Sequence, residues 1–273
     1  MPESLRQHVR EGAEPAPARD AATVVVVRDG DRGLEAYLLR RQQTMAFAPG
    51  MYVFPGGGVD EADRQGDVPW SGPPPAMWAE RFGCTEHEAR GLVCAAVRET
   101  FEESGVLLAG RDEHSVVADT SAPEFLQARL ALEAHEMTFG AYLADTGLVL
   151  RADLLGAWSH WITPAFEPRR YDTRFFVAVL PNGQAVGELA READRATWTP
   201  LSDVLTAVDS GSAAMLPPTH VTCRELSALT SSEVLGASTR RTITTIEPTL
   251  VEHDGELFLE TALPFNDPVG DQP

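Results

Sequence analysis

The chain contains one stretch that decides its fold, Arg98-Glu99-Thr100-Phe101-Glu102-Glu103-Ser104-Gly105-Val106. An α-helix turns about 100° per residue, so with Glu99 placed at zero, Glu102 falls at about −60° and Glu103 at about +40°. The three glutamates therefore share one arc of roughly 100° on the helix surface. The sequence predicts a helix that gathers its acids on one side.

The sequence also indicates the ends and the opposite face of this helix. Thr85 and Glu88 have the spacing of a capping box, in which each side chain bonds a free backbone N–H at the helix start. Gly105 supplies the left-handed residue that commonly ends a helix, so the predicted helix runs from Thr85 to about Ser104. The side chains predicted for the buried face are Val93, Val97, Thr100, Phe101 and Ser104.

The acidic face needs compensating charge. Like charges on a helix face repel one another, and Glu102 and Glu103 lie in the last turn, where the helix dipole disfavours negative charge. Arg98 relieves part of this through its i,i+4 pair with Glu102. A hard divalent cation would relieve more, because Mg²⁺ prefers oxygen ligands. Acidic helix faces are most often simply solvated, so the metal hypothesis also depends on the glycine-rich segment upstream.

The composition argues against several classes of partner. Among 273 residues, 41 Asp and Glu outnumber 22 Lys and Arg, and the net charge of −19 disfavours non-specific binding to nucleic acid or an anionic membrane. The three cysteines form no C-x-x-C pair, which is typical of a reducing compartment. Residues 1–20 carry no apolar segment of a signal peptide, and no apolar run is long enough to cross a bilayer. We therefore expect a cytoplasmic protein that binds neither nucleic acid nor membrane.

The order of predicted elements indicates a mixed α/β domain. The valine-rich run 23–28 and the apolar run 34–39 flank turn residues and predict a β-hairpin. Residues 60–83 are polar and rich in Pro and Gly, which predicts an irregular insertion. Further predicted strands are 52–54, 154–162, 174–180, 196–199, 246–251 and 256–263, the last two as a terminal hairpin. Further predicted helices are 123–145, 201–208 and 220–230.

Two parts of the sequence together resemble the Nudix box, G-x5-E-x7-R-E-U-x-E-E-x-G-U, in which U is apolar. Its second half is matched by Arg98, Glu99, Glu102, Glu103, Gly105 and Val106, with Thr100 at an apolar position. Its start is matched by Phe54-Pro55-Gly56-Gly57, with Gly57 as the box glycine. The acidic position is Asp63 rather than Glu. Between Asp63 and Arg98 lie 34 residues where the box has 7, so 27 extra residues interrupt it.

This resemblance identifies the chain as a member of the Nudix hydrolase superfamily, in the branch with an interrupted box that includes peroxisomal acyl-coenzyme A diphosphatases. It implies an α/β fold, the Nudix α/β/α sandwich with a mixed β-sheet, an insertion inside the box and extra helices. It implies a single domain over 20–265, with 64–84 as the insertion, a flexible tail at 1–19 and a second tail at 266–273. A homodimer is also implied.

The resemblance further implies the roles of the box residues. Glu99, Glu102 and Glu103 would bind Mg²⁺ or Mn²⁺, the backbone carbonyl of Gly57 would lie at the metal, and Arg98 would orient the glutamates. The implied reaction is metal-dependent hydrolysis of a pyrophosphate bond in a small-molecule substrate that contains a nucleoside diphosphate.

The general base and the substrate stay open between alternatives. Glu99 is the first candidate for the base, and Glu192, in a later loop, is the second. Coenzyme A or acyl-coenzyme A is the favoured substrate, although Ala46 stands where that branch has an arginine. NADH, ADP-ribose and nucleotide sugars are the alternatives. A catalytically silent module that binds a nucleotide is the alternative from another class of protein.

Arginines offer candidate contacts to the substrate. Arg169, Arg170 and Arg174 form the densest basic patch of an acidic chain, and a guanidinium suits bidentate recognition of phosphate. They would hold a second phosphate, such as the 3′-phosphate of coenzyme A, with salt bridging to the excess acids as the alternative. Arg41, at the end of a predicted strand near the glycine-rich segment, has the same two interpretations.

Overall fold

The computed structural model describes residues 14–42, 50–65, 68–186, 193–253 and 256–263. The strands are, in chain order, β1 (Arg19–Gly30), β2 (Gly33–Arg41), β3 (Tyr52–Val53), β4 (Gly56–Gly58), β5 (Trp70–Ser71), β6 (Ala109–Gly110), β7 (Val149–Arg151), β8 (Gly156–Ile162), β9 (Tyr171–Val179), β10 (Ala193–Pro200), β11 (Thr245–Ile246), β12 (Thr249–His253) and β13 (Glu256–Glu260). The helices are α1 (Glu61–Arg64), α2 (Pro75–Phe82), α3 (Glu86–Ser104), α4 (Pro123–Glu133), α5 (Phe139–Thr146), α6 (Leu201–Asp209), α7 (Pro217–Leu226) and α8 (Ser231–Arg240). The predicted tail 266–273 and most of the predicted tail 1–19 lie outside the described residues.

A mixed sheet forms the centre of the domain. Its strands lie in the order β10-β2-β1-β9-β8-β11, while β3 pairs with β2 and β4 pairs with β1. β1 runs antiparallel to β2 and β4 and parallel to β9. Val24 and Val26 of β1 join one buried cluster and Val25 and Val27 join another, so both faces of the sheet are covered. The predicted α/β fold and the hairpin of the first two strands are thus confirmed.

Helix α3 follows its prediction closely. The Thr85 hydroxyl accepts a hydrogen bond from the Glu88 N–H at 3.2 Å, and the Glu88 carboxylate accepts one from the Thr85 N–H at 2.8 Å. Gly105 follows the last turn with a φ of 77°. All five side chains predicted for the packed face have no exposed surface. The predicted capping box, buried face and glycine stop are confirmed.

The insertion in the box is more regular than its composition predicts. Residues 60–83 hold α1, the short strand β5 and α2. Pro75 stands in the first turn of α2, where a proline ring fits because the missing N–H has no helical partner there. Trp78 and Phe82 of α2 are then buried against Phe176 of the central sheet. The insertion therefore contributes to the core.

Two helical regions also differ from the prediction. Residues 123–145, predicted as one helix, form α4 and α5, with a break at His135, whose φ is 53°. Thr138 begins the second helix by accepting a hydrogen bond from the Ala141 N–H at 3.2 Å. Helix α8 was not predicted, although Thr230 and its partner three residues later form a capping box that signals its start.

The C-terminal part of the described chain forms a separate hairpin. β12 and β13 pair antiparallel from Thr249 with Glu260 to His253 with Glu256, which confirms a terminal hairpin of the kind predicted for 246–251 and 256–263. Residues 254–255, at the predicted turn, lie outside the described residues. Within the described ranges, no helix combines the length and the apolar composition that crossing a membrane requires.

Candidate active site

The glycine strand β4 lies directly against the acidic face of α3. The Gly56 N–H donates to the Glu103 carboxylate at 2.8 Å. Two residues later, the Gly58 carbonyl accepts a hydrogen bond from Arg98 Nη2 at 2.9 Å. One end of β4 is thus bonded to the last turn of α3 and the other to the turn before it.

The middle of this strand shows why glycine is needed. A Cβ atom at Gly57 would overlap the Glu99 carboxylate, and one at Gly56 would overlap the backbone of Ala22. A Cβ atom at Gly58 would meet nothing within 4 Å. Only the first two glycines are therefore required by close packing, and the second of them keeps room for an acid of the helix.

Asp63, which directly precedes the insertion 64–84, also contacts this site. Its carboxylate accepts hydrogen bonds from Arg98 Nη2 at 2.8 Å and from Arg98 Nε at 3.1 Å. The Asp63 side chain is 2 % exposed and the Arg98 side chain 7 % exposed, so the ion pair is buried. The acid of the first half-motif and the arginine of the second are brought together despite the 34 residues between them.

The same guanidinium also contacts the acids of the helix. Arg98 Nη1 lies 2.8 Å from Glu99 Oε1 and 3.3 Å from Glu102 Oε1, and Arg98 Nη2 lies 3.8 Å from Asp60 Oδ2. With Asp63, four carboxylates therefore approach one guanidinium within 4 Å. The predicted i,i+4 pair of Arg98 with Glu102 is present.

Burial makes this cluster costly. Burial raises the pKa of Glu99 to about 7, while Arg98 opposes the shift and Glu102 adds to it. Burial also raises the pKa of Glu102 against the opposing charge of Arg98. Burial disfavours the charged form of Arg98, but its bonds to Asp63 and the charges of the two glutamates outweigh that penalty and raise its pKa. One guanidinium thus does not fully offset the burial of Glu99 and Glu102.

The donor set suits a hard divalent cation. Carboxylate and carbonyl oxygens are the ligands that Mg²⁺ and Mn²⁺ prefer. The carboxylates of Glu99 and Glu102 already face one cationic point, Arg98 Nη1, whereas Glu103 bonds to the Gly56 N–H. Among the described residues, no three acidic, histidine or cysteine side chains surround a common point in these conformations. The fit to a cation therefore rests on the chemistry of the oxygens and on the excess of buried acid.

A residue that the sequence analysis did not identify supports the end of the acidic helix. Arg129 of α4 donates from Nε and Nη2 to the Glu102 carbonyl at 3.1 and 2.9 Å, and it is 7 % exposed. A cation at the C-terminal end of a helix stabilises its free carbonyls. No motif spacing signals this contact, because it joins two helices through the tertiary fold.

The four predicted substrate arginines lie in different environments. Arg170 donates to the carbonyls of Thr163 and Ala16 and pairs with Glu247 at 2.6 Å. Arg169 is exposed on the connection between β8 and β9. Arg41 ends β2, and its backbone N–H donates to the Met51 carbonyl at 3.0 Å.

Arg174 has a different environment from its neighbours. It is 6 % exposed, pairs with Asp172 and lies 3.7 Å from Asp20. These contacts, like those of Arg170, are the salt bridges of the alternative interpretation, so a substrate role for both stays a prediction. Glu192, the second candidate for the general base, and Ala46 lie outside the described residues.

A glycine strand set against a helix with the R-E-x2-E-E run is the arrangement that defines a Nudix domain. The family model of the NUDT19 Nudix domain matches residues 86–226, more than half of the chain. The chain belongs to this family, and the resemblance inferred from the sequence is confirmed.

Individual proteins support the assignment over a longer stretch. The acyl-coenzyme A diphosphatase NUDT19 of Xenopus laevis is 27 % identical over 220 residues, covering 67 % of this chain and 57 % of that protein. Putative nudix hydrolase 7 of Caenorhabditis elegans is 28 % identical over 200 residues, covering 73 % of this chain and 57 % of that protein. The human acyl-coenzyme A diphosphatase NUDT19 is 28 % identical over 242 residues, covering 73 % of this chain and 62 % of that protein. The chain thus spans less than two thirds of the length of these curated relatives.

A solved structure extends the similarity to the whole fold. The crystal structure of a NUDIX hydrolase from Alicyclobacillus acidocaldarius is 32 % identical to this chain, with a TM-score of 0.66. The match covers 84 % of this chain and 99 % of that one. The predicted Nudix fold is therefore confirmed by structure as well as by sequence.

The contribution of the buried Asp63–Arg98 ion pair to stability can be measured by mutation. Arg98→Met leaves the Asp63 carboxylate buried without its partner, so we expect the free energy of unfolding in urea to fall by about 3–5 kcal/mol. Arg98→Met combined with Asp63→Leu is expected to cost less than Arg98→Met alone, because the Asp63 charge is then no longer buried without a partner, while the loss of Arg98 to Glu99 and Glu102 is common to both variants. Arg32→Met, which removes an exposed pair with Asp203, is the control and should cost no more than about 1 kcal/mol. Strictly additive losses in the double variant would contradict this account.

Proposed function

We propose that this domain hydrolyses a pyrophosphate bond in a small molecule containing a nucleoside diphosphate, in a reaction that depends on Mg²⁺ or Mn²⁺. The observation that carries the proposal is the cluster in which four carboxylates, three of them no more than 13 % exposed, share one buried guanidinium beside a glycine strand. A domain that only binds a nucleotide has no need to keep buried acids that repel one another. The names of the matched relatives, diphosphatases and a hydrolase, support the same reaction.

Each residue of the box has a proposed role. Glu99, Glu102 and Glu103 are the proposed ligands of the ion, together with the backbone carbonyl of Gly57. Arg98 is proposed to orient two of these glutamates, because its Nη1 donates to both carboxylates while its other nitrogens are fixed elsewhere in the site. The ligands would thus be held by contacts that exist before the ion binds.

The chemistry follows from this arrangement. When bound, the ion supplies positive charge that neutralises the pyrophosphate oxygens and makes water more acidic. Glu99 is the proposed proton acceptor, because its carboxylate lies buried against Gly57 and is held by Arg98 at 2.8 Å. Glu99 would accept the proton when its carboxylate is not bound to the ion, and Glu102 and Glu103 would then hold the ion.

Acyl-coenzyme A is the favoured substrate, because two of the matched relatives are named acyl-coenzyme A diphosphatases. NADH, ADP-ribose and nucleotide sugars are the alternatives.

Arg169, exposed just before β9, is the proposed contact for a second phosphate. Arg174 and Gly57 lie on either side of Ala22 in the sheet, about 10 Å apart at two strand spacings. The connection that carries Arg169 therefore enters the sheet near the glycine strand.

The cytoplasmic location and the homodimer stay predictions from the sequence.

Replacing one glutamate tests the reaction. Glu102→Gln keeps the size of the side chain but removes the charge, so we expect kcat to fall by about a hundredfold or more, since a bound ion is worth several kcal/mol. The assay is phosphate release after phosphatase coupling, with acyl-coenzyme A, coenzyme A, NADH, ADP-ribose and a nucleotide sugar, each with Mg²⁺ or Mn²⁺. Glu86→Gln, on the exposed first turn of the same helix, is the matched control and should retain full activity.

Two outcomes of this assay would contradict the proposal. Full activity of Glu102→Gln would exclude the role given to that residue. If the wild-type protein turns over no compound of the panel, while a nucleotide still raises its Tm, the domain is a silent nucleotide-binding module instead.

Alanine substitutions at the adjacent Gly57 and Gly58 test whether the position of the Glu99 carboxylate matters for catalysis. Gly57→Ala places a methyl group where the Glu99 carboxylate lies, so the acid must move, and we expect kcat to fall by about tenfold or more. Gly58→Ala has open space and should leave kcat within about twofold. Both are measured on the best substrate of the panel, with Tm recorded for each. Equal losses in the two variants would show that the strand matters only for folding.

The proposed phosphate contact can be tested with two related substrates. Arg169→Ala is expected to raise KM for coenzyme A by about tenfold, as the loss of a charge-assisted bond predicts, and to leave KM for 3′-dephospho-coenzyme A unchanged. Arg224→Ala, an exposed arginine on α7, is the control for a general change in charge. A similar rise in KM for both substrates would remove the 3′-phosphate assignment.

A further inference from the structure

A second ion pair fixes the segment that carries Asp63. Arg64 Nη2 lies 2.6 Å from Asp20 Oδ2, and the two side chains are 16 % and 24 % exposed. The backbone carbonyl of Asp20 also accepts a hydrogen bond from the Val59 N–H at 3.0 Å. One residue at the start of β1 therefore holds both ends of the stretch 59–64.

Helix α3 offers a fitted surface for the same stretch. A Cβ atom at Gly91 would lie 2.8 Å from Arg64 Cγ and 2.9 Å from Val59 Cγ1. The stems of both side chains therefore rest on bare backbone of α3. Gly91 precedes Arg98 by seven residues, which is about two turns, so it lies on the same side of the helix. Arg64 and Asp63 thus meet one helix face at two points, two turns apart.

Helix α1, which contains both Asp63 and Arg64, is too short to be stable by itself. α1 has four residues, and an isolated single turn is unstable because nucleation fixes several residues for one hydrogen bond. The place of Asp63 therefore depends on contacts outside the turn as well as on the hydrogen bond that its carboxylate accepts from the Asp60 N–H at 2.9 Å. Its carboxylate holds Arg98, which in turn holds Glu99 and Glu102.

We propose that Arg64, anchored by Asp20 and seated on Gly91, is a positioning residue that presents Asp63 to Arg98 and thereby sets the carboxylates that take up the divalent ion. This inference rests on the proposed function. In the uninterrupted box a short chain segment links the acidic position to the arginine, whereas 27 extra residues separate Asp63 from Arg98 here. The Arg64–Asp20 pair would instead restrain Asp63 through strand β1. Asp20 also lies 3.7 Å from Arg174 Nη1, so Arg64 is the cleaner residue to change.

The test measures metal binding apart from catalysis. Mn²⁺ binding to the full chain is followed by the electron paramagnetic resonance signal of the free ion, with Tm and steady-state kinetics recorded beside it. Arg64→Met keeps an aliphatic stem on Gly91 but removes the guanidinium. We expect it to raise the Kd for Mn²⁺ by about tenfold, the usual effect of removing a group that supports metal ligands, and to lower kcat more than it changes KM. Arg64→Lys should recover part of both losses.

Two further variants separate positioning from stability. Asp20→Asn alters the anchor without changing its shape and should shift the Kd in the same direction as Arg64→Met. Arg241→Met is the matched control, because Arg241 pairs with Glu225 at 2.9 Å with exposures of 7 % and 20 % and packs on Trp158 of the other core cluster. It should lower Tm and leave the Kd for Mn²⁺ within about twofold.

The outcomes distinguish this inference from the proposed function. If the wild-type protein binds Mn²⁺ and hydrolyses a pyrophosphate, but Arg64→Met and Asp20→Asn lose only Tm as Arg241→Met does, the pair is merely structural and the inference fails alone. If the wild-type protein neither binds Mn²⁺ nor turns over any compound of the panel, the proposed function fails and the inference fails with it.

Discussion

The buried ion pair of Asp63 with Arg98 is the interaction on which the rest of the site depends. Removing one partner of such a pair commonly costs about 3–5 kcal/mol, because the remaining charge stays out of water. The pair therefore constrains the fold strongly even if it adds little net stability. Asp63 and the carbonyl of Gly58 hold the other nitrogens of Arg98 while its Nη1 donates to Glu99 and Glu102.

The glycine strand and the acidic helix limit each other. Gly57 has no side chain because the Glu99 carboxylate occupies that space, and Glu99 stays buried because the strand covers it. Burial raises the pKa of both Glu99 and Glu102, so the fold holds acids in a place that disfavours their charge. Such a cluster is a poor way to stabilise a domain, but its carboxylate oxygens are of the type that divalent cations prefer as ligands.

Local patterns predicted the elements that depend on neighbouring residues, and tertiary contacts decided the others. The faces of α3, its Thr85 cap and its Gly105 stop follow from helical periodicity and capping chemistry, so the sequence alone was sufficient. The contact of Arg129 with the Glu102 carbonyl joins two helices and leaves no spacing signal. The ion pairs of Arg170 and Arg174 likewise depend on the fold, so a basic patch in the sequence did not indicate which arginines are exposed.

The insertion shows how a long interruption of the box is compatible with a fixed site. Closing 34 residues instead of 7 costs roughly 1.4 kcal/mol more in chain entropy. Burying a large apolar side chain contributes about 1.5–3 kcal/mol, and the insertion buries two, Trp78 and Phe82, against Phe176. Burial of these two side chains is thus larger than the loop-closure term alone, while ordering the backbone of the inserted residues adds a further entropic cost. Packing alone fixes α2, however, and says nothing about where α1 lies. Directional contacts are available there: Asp63 pairs with Arg98, and the next residue, Arg64, makes the pair with Asp20 that we propose as its anchor.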